Sequence, residues 1–176
     1  MPKGWAICTL NDLGVYKKGP FGSSLTKGMF VSKSTPNSIK VYEQKNAIQH
    51  DAFIGEYYIN KEKYQQLLSF NVNPHDFIVS CVGTIGEIYK LPDNSPIGII
   101  NQALMKVTLY DEEISDFFEL IFYNTLHKLS EKSKGTAIKN IAPFDVLKPA
   151  IVTLPPVNEQ KKISNKLNYL TKLIIY

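Results

Sequence analysis

The chain has 176 residues, 44% of them hydrophobic and 20% charged, a balance that supports a buried core and excludes a disordered tail or a collagen-like repeat. No run approaches the roughly 18 consecutive apolar residues that span a bilayer, and the N-terminus lacks the apolar core of a signal peptide, so a cytoplasmic protein is expected. The formal charge of +4 is uneven: lysines against acids number seven to two in residues 1–50, five to twelve in 51–131 and eight to two in 132–176.

Short runs rich in β-branched and aromatic residues occur at 38–43, 54–59, 77–82, 85–90, 97–100 and 102–109. Turn formers at Asn73-Pro74, Gly83, 92–96 and Asn101 punctuate them, which predicts strands of a mostly antiparallel sheet. A short helix is predicted at Lys61–Leu68. A longer one follows over 111–132, where Ile114, Phe117, Phe118, Ile121, Phe122 and Leu129 recur at helical spacing, with acids in the first turn and lysines in the last.

Residues 150–154 read as a strand that Pro155-Pro156 ends. In the helix that follows, Ile163, Leu167, Leu170 and Ile174 repeat at intervals of four, three and four, the narrow seam of a coiled coil. The expected fold class is therefore α+β: a globular, mostly antiparallel β domain with a few helices over 1–154, then a coiled-coil-type helix over 155–176. Two heptads are marginal alone, so this helix calls for a partner, and the chain reads as a fragment or as a short form that pairs with another chain.

The basic, acidic, basic order would suit a phosphate backbone if the two ends meet as one positive face, and would otherwise be scattered solvated lysines. All 20 basic residues are lysine, so the arginine fork that commonly reads guanine is absent. Base reading would fall to Asn and Gln facing adenine, Lys facing guanine, and hydroxyls.

Catalytic motifs fail on inspection. Gly19-Pro20-Phe21-Gly22-Ser23-Ser24 lacks the Gly-Lys-Ser/Thr ending of a nucleotide loop. Leu154-Pro155-Pro156-Val157 has apolar residues at both working positions of the amino-methyltransferase motif. Asp145, Glu159 and Lys161 follow nuclease order, but the last two start a helix on different faces. His50, His75 and His127 are scattered, and Cys8 and Cys81 read as separate, buried, reduced thiols. No catalytic residue, metal or cofactor is expected.

What remains is a binding grammar. Gly83-Thr84-Ile85-Gly86 predicts a tight turn offering amides and a hydroxyl to a phosphate, or a plain hairpin. Residues 133–140 (SKGTAIKN) predict a basic loop, or a helix cap with solvated lysines.

In order along the chain, Pro2-Lys3-Gly4-Trp5 with Leu10 and Leu13, then GPFGSSL, YEQKNA, GEYYI, DFIVSCVGTIGEIYKLPD, GIINQAL and KGTAIKNIAPFDVLKPAIVTLPPVNEQKKI resemble one repeat of a type I restriction-modification specificity subunit. The closing LPPVNEQKKI, similar to the start of that family's spacer helix, is the most specific piece. The resemblance implies a non-catalytic, sequence-reading DNA module. It also implies a second recognition domain or second copy joined through the helix, and partner modification and restriction subunits that bring adenine methylation and cleavage.

The DNA-binding candidates, chosen by loop position and chemistry, are Lys17, Lys18, Ser23, Ser24, Lys27, Lys45, Asn46, Thr84, Lys134, Thr136, Lys139 and Asn140. Ile163, Leu167, Leu170 and Ile174 are the helix-pairing candidates. The rival expectation is a protein-interaction module that acts through the C-terminal helix with little DNA contact of its own.

Overall fold

A computed structural model describes residues 1–132 and 141–174. The strands are β1 (Ala6–Thr9), β2 (Gly14–Lys18), β3 (Ile39–Tyr42), β4 (Tyr58–Ile59), β5 (Asn71–Val72), β6 (Phe77–Ser80), β7 (Ile88–Lys90), β8 (Gly98–Ile100), β9 (Leu104–Leu109) and β10 (Ile151–Leu154). The helices are α1 (Gln44–Ile48), α2 (Lys61–Gln66), α3 (Ser115–Lys132), α4 (Phe144–Leu147) and α5 (Val157–Ile174). The α+β class is as expected, though β3 and β8 run parallel. Among the described residues no helix is long and apolar enough to cross a membrane.

The described residues form two compact units. One holds 15–108 and Ile141; the other holds 1–14, 109–132 and 142–174.

The 15–108 unit is built on two four-stranded sheets, ordered β2-β9-β6-β7 and β4-β3-β8-β5. Strands β3 and β8 are buried throughout apart from Ile39, because both faces of their sheet are covered. On one face Val41, Ile59 and Ile99 pack with Leu25, Phe30, Tyr64 and Leu67. On the other, Tyr42 and Ile100 pack with Ile78 and Leu104 of the second sheet and Ala47 of α1. Gly98 is forced by this packing, since a β-carbon there would lie 2.6 Å from the Lys40 carbonyl oxygen and 2.7 Å from the Tyr42 ring.

Two buried charges belong to the same unit. Lys40 is buried, donates to the Ile54 carbonyl and lies over the Tyr42 and Tyr58 rings; burial lowers its pKa and nearby Glu43 opposes that. Asp76 is buried and accepts from the Asn73 N–H and the Thr108 hydroxyl, with Lys106 Nζ 4.0 Å away. Of the strand expected at 54–59 only Tyr58–Ile59 forms, because Gly55 takes a φ of +109° in a loop whose carbonyls serve Lys40 and Asn46.

In the other unit the first and last strands close on each other: β1 and β10 pair antiparallel from Ala6↔Leu154 to Thr9↔Ile151. Helix α3 buries Phe117, Phe118 and Phe122, preceded by Ile114, as its spacing predicts, and Asp111 caps the preceding turn by accepting from the Glu113 N–H. Helix α5 packs against α3. The LPPVNEQ stretch proves to be a helix start: Pro155 is buried, its carbonyl accepts from the Gln160 side chain, and the Pro156 carbonyl accepts from the Glu159 and Gln160 N–H groups. Glu159 accepts from the Trp5 indole at 3.2 Å, which gives the N-terminal Gly4-Trp5 a packing role.

One expectation is corrected. Cys8 is half-buried rather than buried, since β1 has a partner on one side only. The N- and C-terminal segments do join, through β1 and β10, but the lysines from Lys17 to Lys45 belong to the other unit.

Candidate nucleic-acid interface

The 15–108 unit collects a set of loops at one end of its strands. Strand β2 ends beside the start of β9, where the Gly19 N–H donates to the Leu104 carbonyl. Ser80, the last residue of β6, faces Leu104, the first of β9. The ends of β3 and β8 lie side by side, Tyr42 opposite Ile100, with the Asn101 N–H bonded to the Tyr42 carbonyl. The segments 19–26, 43–44, 81–87 and 101–103 therefore emerge together as a rim.

Each loop has a local cause. Gly19 touches the β8–β9 turn so closely that a β-carbon would sit 1.8 Å from the Asn101 carbonyl oxygen and 3.1 Å from the Gln102 Cα. Beyond it, Pro20 is buried and the Ser24 N–H returns to the Phe21 carbonyl at 2.8 Å. The 81–87 turn needs left-handed backbone at Gly83 (φ +68°) and Gly86 (φ +89°). Ser80 ties it down: its hydroxyl donates to the Thr84 carbonyl and accepts the Glu87 N–H, while its own carbonyl accepts the Gly86 N–H. The turn is wider than expected, so β7 starts at Ile88 rather than at 85.

Against this rim the sequence candidates divide. Lys18, Ser23 and Thr84 are exposed on it and Ser24 is half-buried there. Lys18 is close enough to favour ionisation of Cys81, although burial dominates and pushes that thiol up to about 12. Lys17 is half-buried with Nζ 4.9 Å from the Phe70 ring centroid. Lys27 is exposed further along, in a 3₁₀ turn over Lys27–Met29. Lys45 forms a 3.2 Å ion pair with Glu43. Lys134, Thr136, Lys139 and Asn140 lie outside the described residues.

Asn46 is withdrawn as a base reader. It is fully buried; its side-chain oxygen accepts from the Glu43 N–H, and its nitrogen donates to the Asp51 and Ile54 carbonyls at 2.8 Å each. Its chemistry is spent on holding α1 to the 51–54 loop.

Three rim residues escaped the sequence reading. Gln102 is exposed beside Gly19, Gln44 lies against Gly83, and Phe21 stands out at the tip of the first loop. The Gly-Pro-Phe-Gly bracket was the available signal for Phe21, since glycine and proline on both sides of an aromatic mark a loop tip rather than core.

Of the pairing candidates on α5, Ile163 is half-buried whereas Leu167 and Leu170 are 42% and 43% exposed. Ile174 closes the helix. Among the described side chains of this helix the buried ones are the polar Gln160 and Ser164, one turn apart, while Leu167 and Leu170 face solvent in part.

Residues 2–175 match the type I restriction modification DNA specificity domain, and the chain belongs to that family, one of specificity subunits rather than catalytic ones. Solved structures share the fold at low identity. The HsdS subunit from Thermoanaerobacter tengcongensis superimposes with a TM-score of 0.66 at 15% identity, over 99% of this chain and 39% of that one. A chain solved to explain complex assembly and conformational transition of the type I R-M system gives 0.64 at 18%, over 99% and 40%. The S subunit from M. genitalium gives 0.56 at 19%, over 96% and 39%. The chain thus spans about two fifths of the length of these structures. A search among curated proteins finds no match.

Proposed function

We propose that this chain is one target-recognition module of a type I specificity subunit, and that the 15–108 unit reads one half of a bipartite duplex DNA target through its strand-end rim. The convergence of Lys18, Ser23, Ser24 and Thr84 on that rim carries the reading: an ammonium, hydroxyls and turn amides are the groups that hold phosphates and probe base edges. Residues 1–154 form the recognition domain, and 155–176 begin the helix through which a second recognition domain or a second copy is held at a fixed spacing. Methyl transfer to adenine and cleavage belong to partner modification and restriction subunits, so this chain itself takes no cofactor.

The test is selection of bound duplexes from a random library by the purified chain, at low and at physiological salt. A short motif enriched at both salts supports the reading and names the half-site. Binding without enrichment that vanishes as salt rises refutes sequence reading by the isolated chain and leaves lysine electrostatics alone.

A further inference from the structure

Phe21 is 87% exposed, more than any other large hydrophobic side chain among the described residues. A ring held in water contributes nothing to the core, yet the backbone on either side of this one is held in place. Gly19 is pinned against Asn101, Pro20 is buried, and the Phe21 carbonyl is bonded to Ser24 before the chain dives into the core at Leu25. The same rim carries the exposed Lys18 and Ser23 and the half-buried Ser24, and the sequence from Leu13 to Tyr42 holds no acid.

We infer that Phe21 is a stacking residue, inserting its ring against a base step of the duplex while Ser23, Ser24 and Lys18 hold the flanking phosphates. The inference rests on the DNA reading above and deepens it. An apolar wedge at a base step recognises deformability and π-surface rather than a hydrogen-bond pattern, so it adds affinity with little dependence on base identity.

The test uses the full chain and the duplex enriched in the selection, with 2-aminopurine replacing each adenine in turn. Phe21→Ala is expected to bind roughly 5- to 100-fold more weakly, as for loss of one aromatic stack, with unchanged thermal unfolding. Phe21→Tyr, which keeps the ring, retains binding. One 2-aminopurine position changes its emission on binding by the native and Tyr chains but not by the Ala chain. If Phe21→Ala binds like the native chain while Ser23→Ala or Lys18→Ala weakens binding, the stacking role is overturned and the DNA reading stands. Weaker binding by Phe21→Ala with no responsive 2-aminopurine position also overturns stacking. Absence of saturable binding to any duplex by the native chain overturns both.

Discussion

Asn46→Ala separates an architectural amide from a base-reading one. The substitution strips the partner from the Glu43 N–H and the Asp51 carbonyl, whereas the Ile54 carbonyl keeps the Lys40 ammonium. Two part-buried groups left unpaired, at roughly 1–2 kcal/mol each and so in the lower part of the range for buried groups, give a destabilisation of about 2–4 kcal/mol. With a urea slope of about 2 kcal/mol per molar, the unfolding midpoint falls by about 1–2 M at constant slope. Equilibrium urea unfolding followed by far-UV circular dichroism reads this directly. DNA affinity, measured where the variant is still folded, should stay within about threefold of native, with the same base preferences. An unchanged midpoint together with lost discrimination at one base pair would refute the structural assignment and return Asn46 to the list of readers.

Two further predictions follow from burial and exposure. Burial raises the Cys81 thiol from its ordinary 9.0 to about 12, and raises the Tyr42 phenol as well. Between those values the folded chain holds a proton that the unfolded chain releases. The contribution to stability is therefore full below pH 9 and declines as pH climbs toward 12. The stability gap between the native chain and Cys81→Ala should narrow above pH 9; a gap constant from pH 7 to 11 would contradict it, and taking the difference removes the opposite slope from Lys40. On α5, replacing both Leu167 and Leu170 by Asp should leave the isolated chain's stability within about 1 kcal/mol, since both side chains are exposed rather than core. The same change should abolish concentration-dependent association in light scattering, and a double variant that still associates would rule out the seam.

Legibility in the sequence followed the range of the causes. Helix α3 and the strands at β6, β8 and β9 were readable because their apolar period is local and their surroundings bury one or both faces. Strands β1 and β2 were not, because AICT and GVYKK carry no clear alternation and take their structure from partners far along the chain, β10 for β1 and β9 for β2. Helix α1 is only five residues long and was passed over, since its stability comes from packing under β6 and β7 and from the Glu43–Asn46 capping box rather than from propensity.

The same limit explains the division among the site candidates. The DNA-binding candidates Lys18, Ser23, Ser24 and Thr84 fall on the rim, but residue chemistry cannot separate an exposed amide from a buried one. Asn46 was therefore chosen and Gln102 passed over. Ser80, which holds the Thr84 turn in shape, looked in the sequence like one more small residue inside a buried strand.

The clasp between β1 and β10 sets an order of assembly during synthesis. The 15–108 unit is almost contiguous in sequence and can close while the rest of the chain is still being made. The other unit cannot, because Ala6–Thr9 must wait for Ile151–Leu154 to emerge, some 145 residues later. Until then β1 presents an unpaired edge with Ile7 exposed, a feature that favours misassociation with other strands. The unit that bears the rim can thus fold ahead of the other, and the part that carries α5 is completed only after Ile151–Leu154 has emerged.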